Sequence, residues 1–297
     1  MRLFADLTKS GIVVFVLLSG FAGYALSHPA YARWDLAQLG CTLAALYFLS
    51  AGSFALNQAQ EWRTDLKMPR TENRPIPSGR VTPPQAFFLG FGFVAMGLAF
   101  GAVVSPLVAA LGAATVVLYN LLYTPIWKRR WAFGAVPGAL PGAMPVVIGY
   151  AANTNDLLQP DLVYAFLIMF LWQMPHFWAL AIRFKDDYAK GGIPVLPVAL
   201  GTRAARFHIG LYLFAYVALA VVSPWFVSAN WVYAVVVLPF AFKVLWEFIK
   251  YNRQGEAGRW LPFFLWTNFS VLVFLIAPVL DKWQLAYLGS LSREFMQ

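Results

Sequence analysis

The chain has 297 residues, of which 60% are hydrophobic and 17% aromatic, whereas only 12% are charged. An ordinary soluble domain is about one quarter charged, so this composition excludes a soluble globular protein and indicates a polytopic membrane protein. The net charge of +9 accompanies no nucleic-acid-binding motif, and we expect no nucleic-acid partner. Because Cys41 is the single cysteine, a disulfide framework and a thiolate zinc site are also excluded.

Apolar stretches of about 20 residues predict an all-α bundle of nine transmembrane helices in the lipid bilayer. These stretches lie near residues 10–28, 36–57, 85–104, 107–126, 133–152, 161–182, 207–227, 231–249 and 262–280. The first is too long for the hydrophobic core of a signal peptide, so we expect it to be retained. The whole chain, 1–297, is predicted to form a single domain.

The basic residues are distributed unevenly between the loops. Of the 22 Lys and Arg residues, 18 lie in the N-terminal segment and in every second loop. The positive-inside rule therefore predicts a cytoplasmic N-terminus and a C-terminus on the outside. Since no Arg- and Ser-rich transit sequence precedes the first span, we expect a bacterial plasma (inner) membrane.

The second span ends in FALNQAQEWRTDLKMPRTENRPIPSGRV, residues 54–81. On a helix, Asn57, Glu61 and Asp65 form one stripe because they are four residues apart. Carboxylate and amide oxygens suit Mg²⁺, which commonly binds through one or two carboxylates together with substrate phosphates. Three arginines, whose forked donors match phosphate oxygens, follow in the next loop: Arg70, Arg74 and Arg80.

A solvated helix end followed by a basic loop explains most of this pattern without a site. It does not explain why the stripe begins at Asn57, inside the apolar run, where polar groups are costly and usually functional. We therefore predict a magnesium diphosphate site at the end of the second span.

The fourth span ends in YNLLYTPIWKRR, residues 119–130. Tyr123 is placed to donate a hydroxyl to a phosphate, and Lys128 and Arg129 follow it. Topology alone explains these cations equally well. The glycines and prolines of GAVPGALPGAMP, residues 134–145, predict a fifth span that is irregular and packs closely against its neighbours.

The sixth span ends in WQMPHFWALAIRFKDDYAKGGIPVLPV, residues 172–198. If this segment is one continuous helix, His176, Arg183 and Asp187 share a stripe, with Asp186 beside it. A lone histidine among aromatic residues is more often a packed core residue than a ligand. Its alignment with Arg183 and Asp187 favours a functional role.

The second and sixth spans have similar ends, because an Ile-Pro pair and a glycine follow each polar stripe. This pattern predicts two related four-helix halves, about 10–126 and 133–249, plus a ninth helix at about 262–280. A site shared between the halves is the natural inference.

Three segments together, NQAQEWRTDLKMPRTENRPIP, YTPIWKRR and WQMPHFWALAIRFKDDYAKGGIPVLPV, closely resemble the protoheme IX farnesyltransferases (haem O synthases) of the UbiA superfamily of intramembrane prenyltransferases. The resemblance extends over nearly the whole chain. His176 and Arg183 stand where quinone-forming relatives carry aspartates. The segment RRWAFGAVPG departs from the family, in which a polar residue often follows the Lys-Arg pair.

The resemblance implies a UbiA-type fold with a lipid-accessible cavity. It implies transfer of a farnesyl group from farnesyl diphosphate to the 2-vinyl group of haem b, which gives haem O and releases diphosphate. Mg²⁺ is the implied cofactor. The implied residues are Asn57, Glu61, Asp65, Asp186 and Asp187 for the metal; Arg70, Arg74, Tyr123, Lys128 and Arg129 for diphosphate; His176 and Arg183 for haem or catalysis; and Trp172, Phe177 and Trp178 for the cavity wall.

Two other functions stay open at this stage, another UbiA-type prenyltransferase acting on an aromatic ring and a transporter of haem or lipid phosphate. His176 and Arg183 favour the haem farnesyltransferase over the first alternative. The position of the polar stripes near the helix ends, rather than at the bilayer midplane, disfavours a transporter. Docking to haem A synthase or to a terminal oxidase is left open.

Overall fold

The computed structural model describes residues 2–30, 32–225, 227, 231–254 and 259–294, with side chains except at 2, 254 and 285–294. Within these ranges the secondary structure is helical and contains no strand. The helices are α1 (Arg2–Thr8), α2 (Ser10–Ser27), α3 (Leu36–Asp65), α4 (Pro83–Val104), α5 (Pro106–Val116), a π-helix (Val117–Trp127), α6 (Lys128–Arg130), α7 (Ala135–Ala151), α8 (Pro160–Arg183), α9 (Lys185–Lys190), α10 (Leu196–Ala199), α11 (Gly201–Val222), a 3₁₀ turn (Ser223–Trp225), α12 (Trp231–Gln254) and α13 (Trp260–Glu294).

Among the described residues, eight helical segments are long and apolar enough to cross a membrane. The fifth predicted span corresponds to α7, an apolar helix of 17 residues. The prediction of an all-α, multi-pass bundle is therefore confirmed, with eight full-length spans and one shorter helix.

Local sequence signals set the helix boundaries in the first half. Thr82 and Gln85 form a reciprocal capping box at the start of α4, where two orphan backbone donors are satisfied. Ser105 accepts a hydrogen bond from the backbone N–H of Val108, and Pro106 occupies the first turn of α5. The Ser-Pro pair therefore ends one span and starts the next.

Close packing of α2 on α7 depends on glycine. A Cβ atom added at Gly23 or Gly149 would overlap the backbone of the facing helix, so the two helices approach to backbone contact. The predicted close packing of α7 is thus present, but its predicted irregularity is wrong. The helix runs unbroken through Pro141 and Pro145, as membrane helices can when neighbouring groups satisfy the freed carbonyls.

The second half packs α8, α11, α12 and α13 around one large apolar core. Buried hydroxyl groups inside it are paired with each other: Tyr164 with Tyr233 at 2.7 Å, Ser223 with Tyr233 at 2.7 Å and Tyr216 with Ser270 at 2.9 Å. These hydroxyl groups are therefore satisfied inside the protein.

Candidate active site

The acid stripe lies at the end of α3. This helix has 30 residues and continues past its apolar part, so that Asn57, Glu61 and Asp65 remain buried, at 1%, 3% and 1% exposure. The chain turns directly after the stripe, where Thr71 Oγ1 donates to the Asp65 carbonyl oxygen at 2.9 Å. The three polar side chains are therefore held on one side of a rigid helix.

Each member of the stripe accepts hydrogen bonds from a different cationic side chain, and the three cations come from separate segments. The bonds are Lys9 Nζ to Asn57 Oδ1 at 3.1 Å, Lys128 Nζ to both Glu61 carboxylate oxygens at 2.7 Å, and Arg74 to the two Asp65 carboxylate oxygens at 3.0 and 2.9 Å. Because charge-assisted bonds are the strong ones, the cations and the acids position each other.

Lys9 is the cation that the sequence interpretation missed. It joins α1 to α2 and is the one non-glycine residue with positive φ, 52°, in the described part of the chain. Gln58 Nε2 donates to the carbonyl oxygens of Asp6 and Leu7, both at 2.8 Å, and so ties α1 to α3 beside the stripe. Burial, with the Arg74 guanidinium nearby, lowers the pKa of Lys9 to about 7.

The π-helix brings Lys128 to Glu61. Its wider turn is seen in the bond from the Lys128 backbone N–H to the carbonyl oxygen of Tyr123, five residues earlier. Thr124 Oγ1 donates to Tyr119 O at 2.9 Å and accepts a bond from Asn57 Nδ2 at 3.1 Å. The amide of Asn57 is thereby oriented with its oxygen towards Lys9.

Arg70 connects the loop after α3 to α9. Its guanidinium carbon lies 4.8 Å from the ring centroid of Phe184 and 5.6 Å from that of Tyr188. Its backbone N–H donates to Asp187 Oδ2 at 3.2 Å. Arg70 and Asp187 therefore hold the loop after α3 against α9 at the charged end of the site.

One cavity of about 400 Å³ extends from this charged end into the bundle. Its charged mouth and its apolar body, which includes Phe15, Leu49 and Ile148, are continuous. The predicted site residues that line it are Asn57, Glu61, Asp65, Arg70, Arg74, Tyr123, Lys128, Trp172, His176 and Phe177. A charged head with a long apolar tail matches the shape of such a cavity.

His176 lies in the wall of the same cavity, between two aromatic rings. Its ring centroid is 4.8 Å from that of Trp172 and 4.8 Å from that of Phe264. Its Nδ1 atom is buried and has no hydrogen-bond partner among the described residues. Unlike the acids of α3, this residue has no ion-pair partner within the described ranges.

The other predicted site residues do not line the cavity. Arg183 is the last residue of α8, and the chain changes direction at Phe184, with φ −114° and ψ 33°, before α9 begins. The expected continuous helix from His176 to Asp187 is therefore wrong. Five predicted residues lie outside the cavity lining. Arg129, Arg183 and Asp186 are exposed, and Arg129 donates to Gln60 O. Asp187 lies beside the Arg70 backbone, and Trp178 is fully buried against Tyr212 and Phe133.

The described residues contain no cluster of three or more His, Cys, Asp or Glu side chains able to hold a metal by themselves. Glu61 and Asp65, with the Asn57 amide oxygen, instead offer two carboxylates and one neutral oxygen beside three cations. This donor set fits Mg²⁺ that is bound jointly by protein and phosphate oxygens.

The sequence is similar to a known family of membrane enzymes. Residues 16–268 match the UbiA prenyltransferase family. The chain belongs to this family. It is 52% identical over 288 residues to the protoheme IX farnesyltransferase of Bdellovibrio bacteriovorus, covering 97% of this chain and 99% of that protein.

Two solved UbiA structures have the same fold. A UbiA homologue from Aeropyrum pernix K1 is 18% identical, with a TM-score of 0.76 over 92% of this chain and 98% of the homologue. A UbiA homologue from Archaeoglobus fulgidus, solved with GPP and Mg²⁺, is 17% identical, with a TM-score of 0.67 over 93% of this chain and 99% of that one. UbiA homologues of this fold thus bind divalent metal and prenyl diphosphate.

Proposed function

We propose that this UbiA prenyltransferase transfers a farnesyl group from farnesyl diphosphate to the 2-vinyl group of haem b. The carbon–oxygen bond to diphosphate breaks and a carbon–carbon bond to the vinyl group forms, which leaves a cation on the former vinyl group. Water adds to this cation and loses one proton to the solvent, which gives the hydroxyl of the hydroxyethylfarnesyl chain of haem O. The observation that carries the proposal is a cavity in which a cationic, acid-bearing end is continuous with an apolar body that includes His176.

The cationic end supports binding of the diphosphate. Lys9, Arg74 and Lys128 converge there from three segments, and each can exchange its acid or amide partner for a phosphate oxygen. Arg70 and Tyr123 line the same cavity and add two further donors. These fixed donors stabilise the negative charge that develops on the leaving diphosphate when the allylic bond ionises.

Mg²⁺ is the proposed cofactor, and Glu61, Asp65 and Asn57 would hold it. When bound, it neutralises part of the charge of the leaving diphosphate. Of the two acids on α9 that the resemblance implies for the metal, Asp187 is the better candidate, because it accepts a hydrogen bond from the backbone of Arg70, which lines the cavity.

The apolar body supports capture of the allylic cation. Trp172 and Phe177 line it, and aromatic faces are attractive to cations. Exclusion of water by this wall prevents early hydrolysis of the cation. The His176 imidazole, which faces this cavity, is suited to contact the haem iron or a propionate.

The proposed orientation places this reaction at the cytoplasmic side of a bacterial inner membrane, because 18 of the 22 basic residues lie in segments assigned to that side. Farnesyl diphosphate and haem b would then both enter from the cytoplasm or its leaflet.

The proposal is tested with membranes from a host that lacks haem O. Supplied with haem b, farnesyl diphosphate and Mg²⁺, membranes containing the protein should form haem O, identified by the mass of extracted haems, and release diphosphate. EDTA should stop the reaction. Geranyl diphosphate should be a poorer donor, since each apolar methylene equivalent left out of the cavity forfeits about 0.8 kcal/mol.

Two outcomes would replace the proposal. Prenylation of a phenolic ring while haem b is ignored would make the protein an aromatic prenyltransferase. No product, together with movement of haem across sealed vesicles, would make it a transporter.

A further inference from the structure

A second groove lies outside the active-site cavity, on the lipid-facing side of α11 and α12. It has a volume of about 830 Å³. The residues that line it are Thr202, Arg203, Arg206, Phe207, Gly210, Leu211, Phe214, Phe248 and Asn252. None of them lines the cavity proposed for catalysis.

One end of this groove is cationic. Arg203 and Arg206 lie in the first turns of α11, and neither forms an ion pair with a carboxylate in the part of the chain that the structure describes. The Nε atom of Arg206 is buried and has no hydrogen-bond partner among those residues. Two guanidinium groups, with donors still available, face one opening that also contains the Asn252 amide.

The rest of the groove is apolar and exposed. Phe207, Leu211 and Phe214 follow each other along α11 at 68%, 54% and 68% exposure. Gly210 deepens the groove, because a Cβ atom there would come within 3.1 Å of the Phe248 ring. From Thr202 to Phe214 the helix rises about 18 Å, which is close to the roughly 15 Å depth of one leaflet's hydrocarbon.

We propose that this groove binds one anionic phospholipid, with its phosphodiester on Arg203 and Arg206 and an acyl chain along Phe207, Leu211 and Phe214. Basic pockets between transmembrane helices recognise anionic headgroups through their charge. The apolar part, from Phe207 to Phe214, rises about 10 Å, so it covers the part of an acyl chain nearest the headgroup and favours a lipid over free phosphate. A zwitterionic lipid is disfavoured, because its choline group would meet the same two guanidinium groups.

The test is native mass spectrometry of the purified full chain with added palmitoyl-oleoyl phosphatidylglycerol or phosphatidylcholine. Retention of phosphatidylglycerol should fall about tenfold in the R203Q/R206Q variant, whereas retention of phosphatidylcholine should be equal in both proteins. The matched control, R63Q/R130Q, removes the same charge from two exposed arginines outside the groove and should behave as wild type. Gly210→Leu keeps every charge but fills the groove, and should also lower retention.

Several results would overturn the assignment. These are unchanged retention in R203Q/R206Q, an equal loss in the control, no preference for phosphatidylglycerol over phosphatidylcholine, or displacement of the lipid by millimolar inorganic phosphate. If R203Q/R206Q does not fold, the single variants R203Q and R206Q provide the same comparison.

Discussion

The ends of α3 and α8 contribute to the same cavity but offer different chemistry. On α3, Glu61 and Asp65 are buried acids, and each is neutralised by a cation from another segment. On α8, His176 lies between two aromatic rings and has no ion-pair partner in the described ranges. One side of the cavity is therefore built for separated charge, and the other for an uncharged, aromatic surrounding.

This difference matches the two stages of the proposed reaction, loss of diphosphate and capture of the allylic cation. The leaving diphosphate carries a high negative charge and needs fixed positive groups. The allylic cation and the haem ring system need a dry wall that supplies no competing nucleophile. Substitutions on the two helices should therefore fail in different ways.

The largest effect is expected at Asp65. Asp65→Asn removes the charge that fixes Arg74, so turnover should fall about 10²- to 10³-fold while the fold is retained. Haem O formation by purified enzyme measures this loss. Glu72→Gln, an exposed acid in the next loop, is the control and should keep normal turnover. Activity of Asp65→Asn above about a tenth of wild type would count against the proposed metal and diphosphate end.

Lys128→Met should reduce turnover about a hundredfold and also destabilise the protein. It leaves the buried Glu61 carboxylate without its cation, which costs about 3 kcal/mol or more. The double variant Glu61→Gln/Lys128→Met should recover most of the thermal stability but none of the activity. Thermal unfolding in detergent measures the first effect. A single variant as stable as wild type would show that the pair is not coupled.

His176→Ala tests the neutral side. Use of haem b should weaken about tenfold, with little change in the affinity for farnesyl diphosphate, because a neutral imidazole is a weak diphosphate ligand. Separate titrations of the two substrates distinguish these effects. Equal losses for both would remove the contrast between α3 and α8.

The smallest effect is expected at Lys9. Lys9→Met should raise KM for farnesyl diphosphate several-fold, with kcat less affected, because one of several cations at the diphosphate end is lost. Lys9→Arg should restore the affinity, since it keeps the charge. The expectation fails if Lys9→Arg is as impaired as Lys9→Met, because charge would then not be the property that matters.

Much of the α3 side could be predicted from the sequence because its information is local. The four-residue spacing of Asn57, Glu61 and Asp65 places them together on any helix. Lys9 was missed because its contact with Asn57 spans 48 residues and depends on how α1 folds back onto α3. The one available signal was a lysine immediately before the first apolar run.

The α8 side was harder to predict, because His176, Arg183 and Asp187 share one face only if a single helix continues from His176 to Asp187. The break at Phe184 separates Arg183 from Asp187, and nothing in the local residue pattern marks that break as strongly as a proline or glycine would. The two related halves stay a prediction. The structure itself shows two unlike helix ends, one continuous to Asp65 and one interrupted.

In the π-helix at Val117–Trp127, the number of residues determines the direction in which Lys128 points, as much as the identity of the residues does. Each residue of an α-helix turns the chain by about 100°. Deleting one residue between Tyr119 and Tyr123 would let the segment return to an α-helical pitch, and would rotate Lys128 away from Glu61 although every charged side chain is still present. In this segment a one-residue gap is therefore a more severe change than most substitutions.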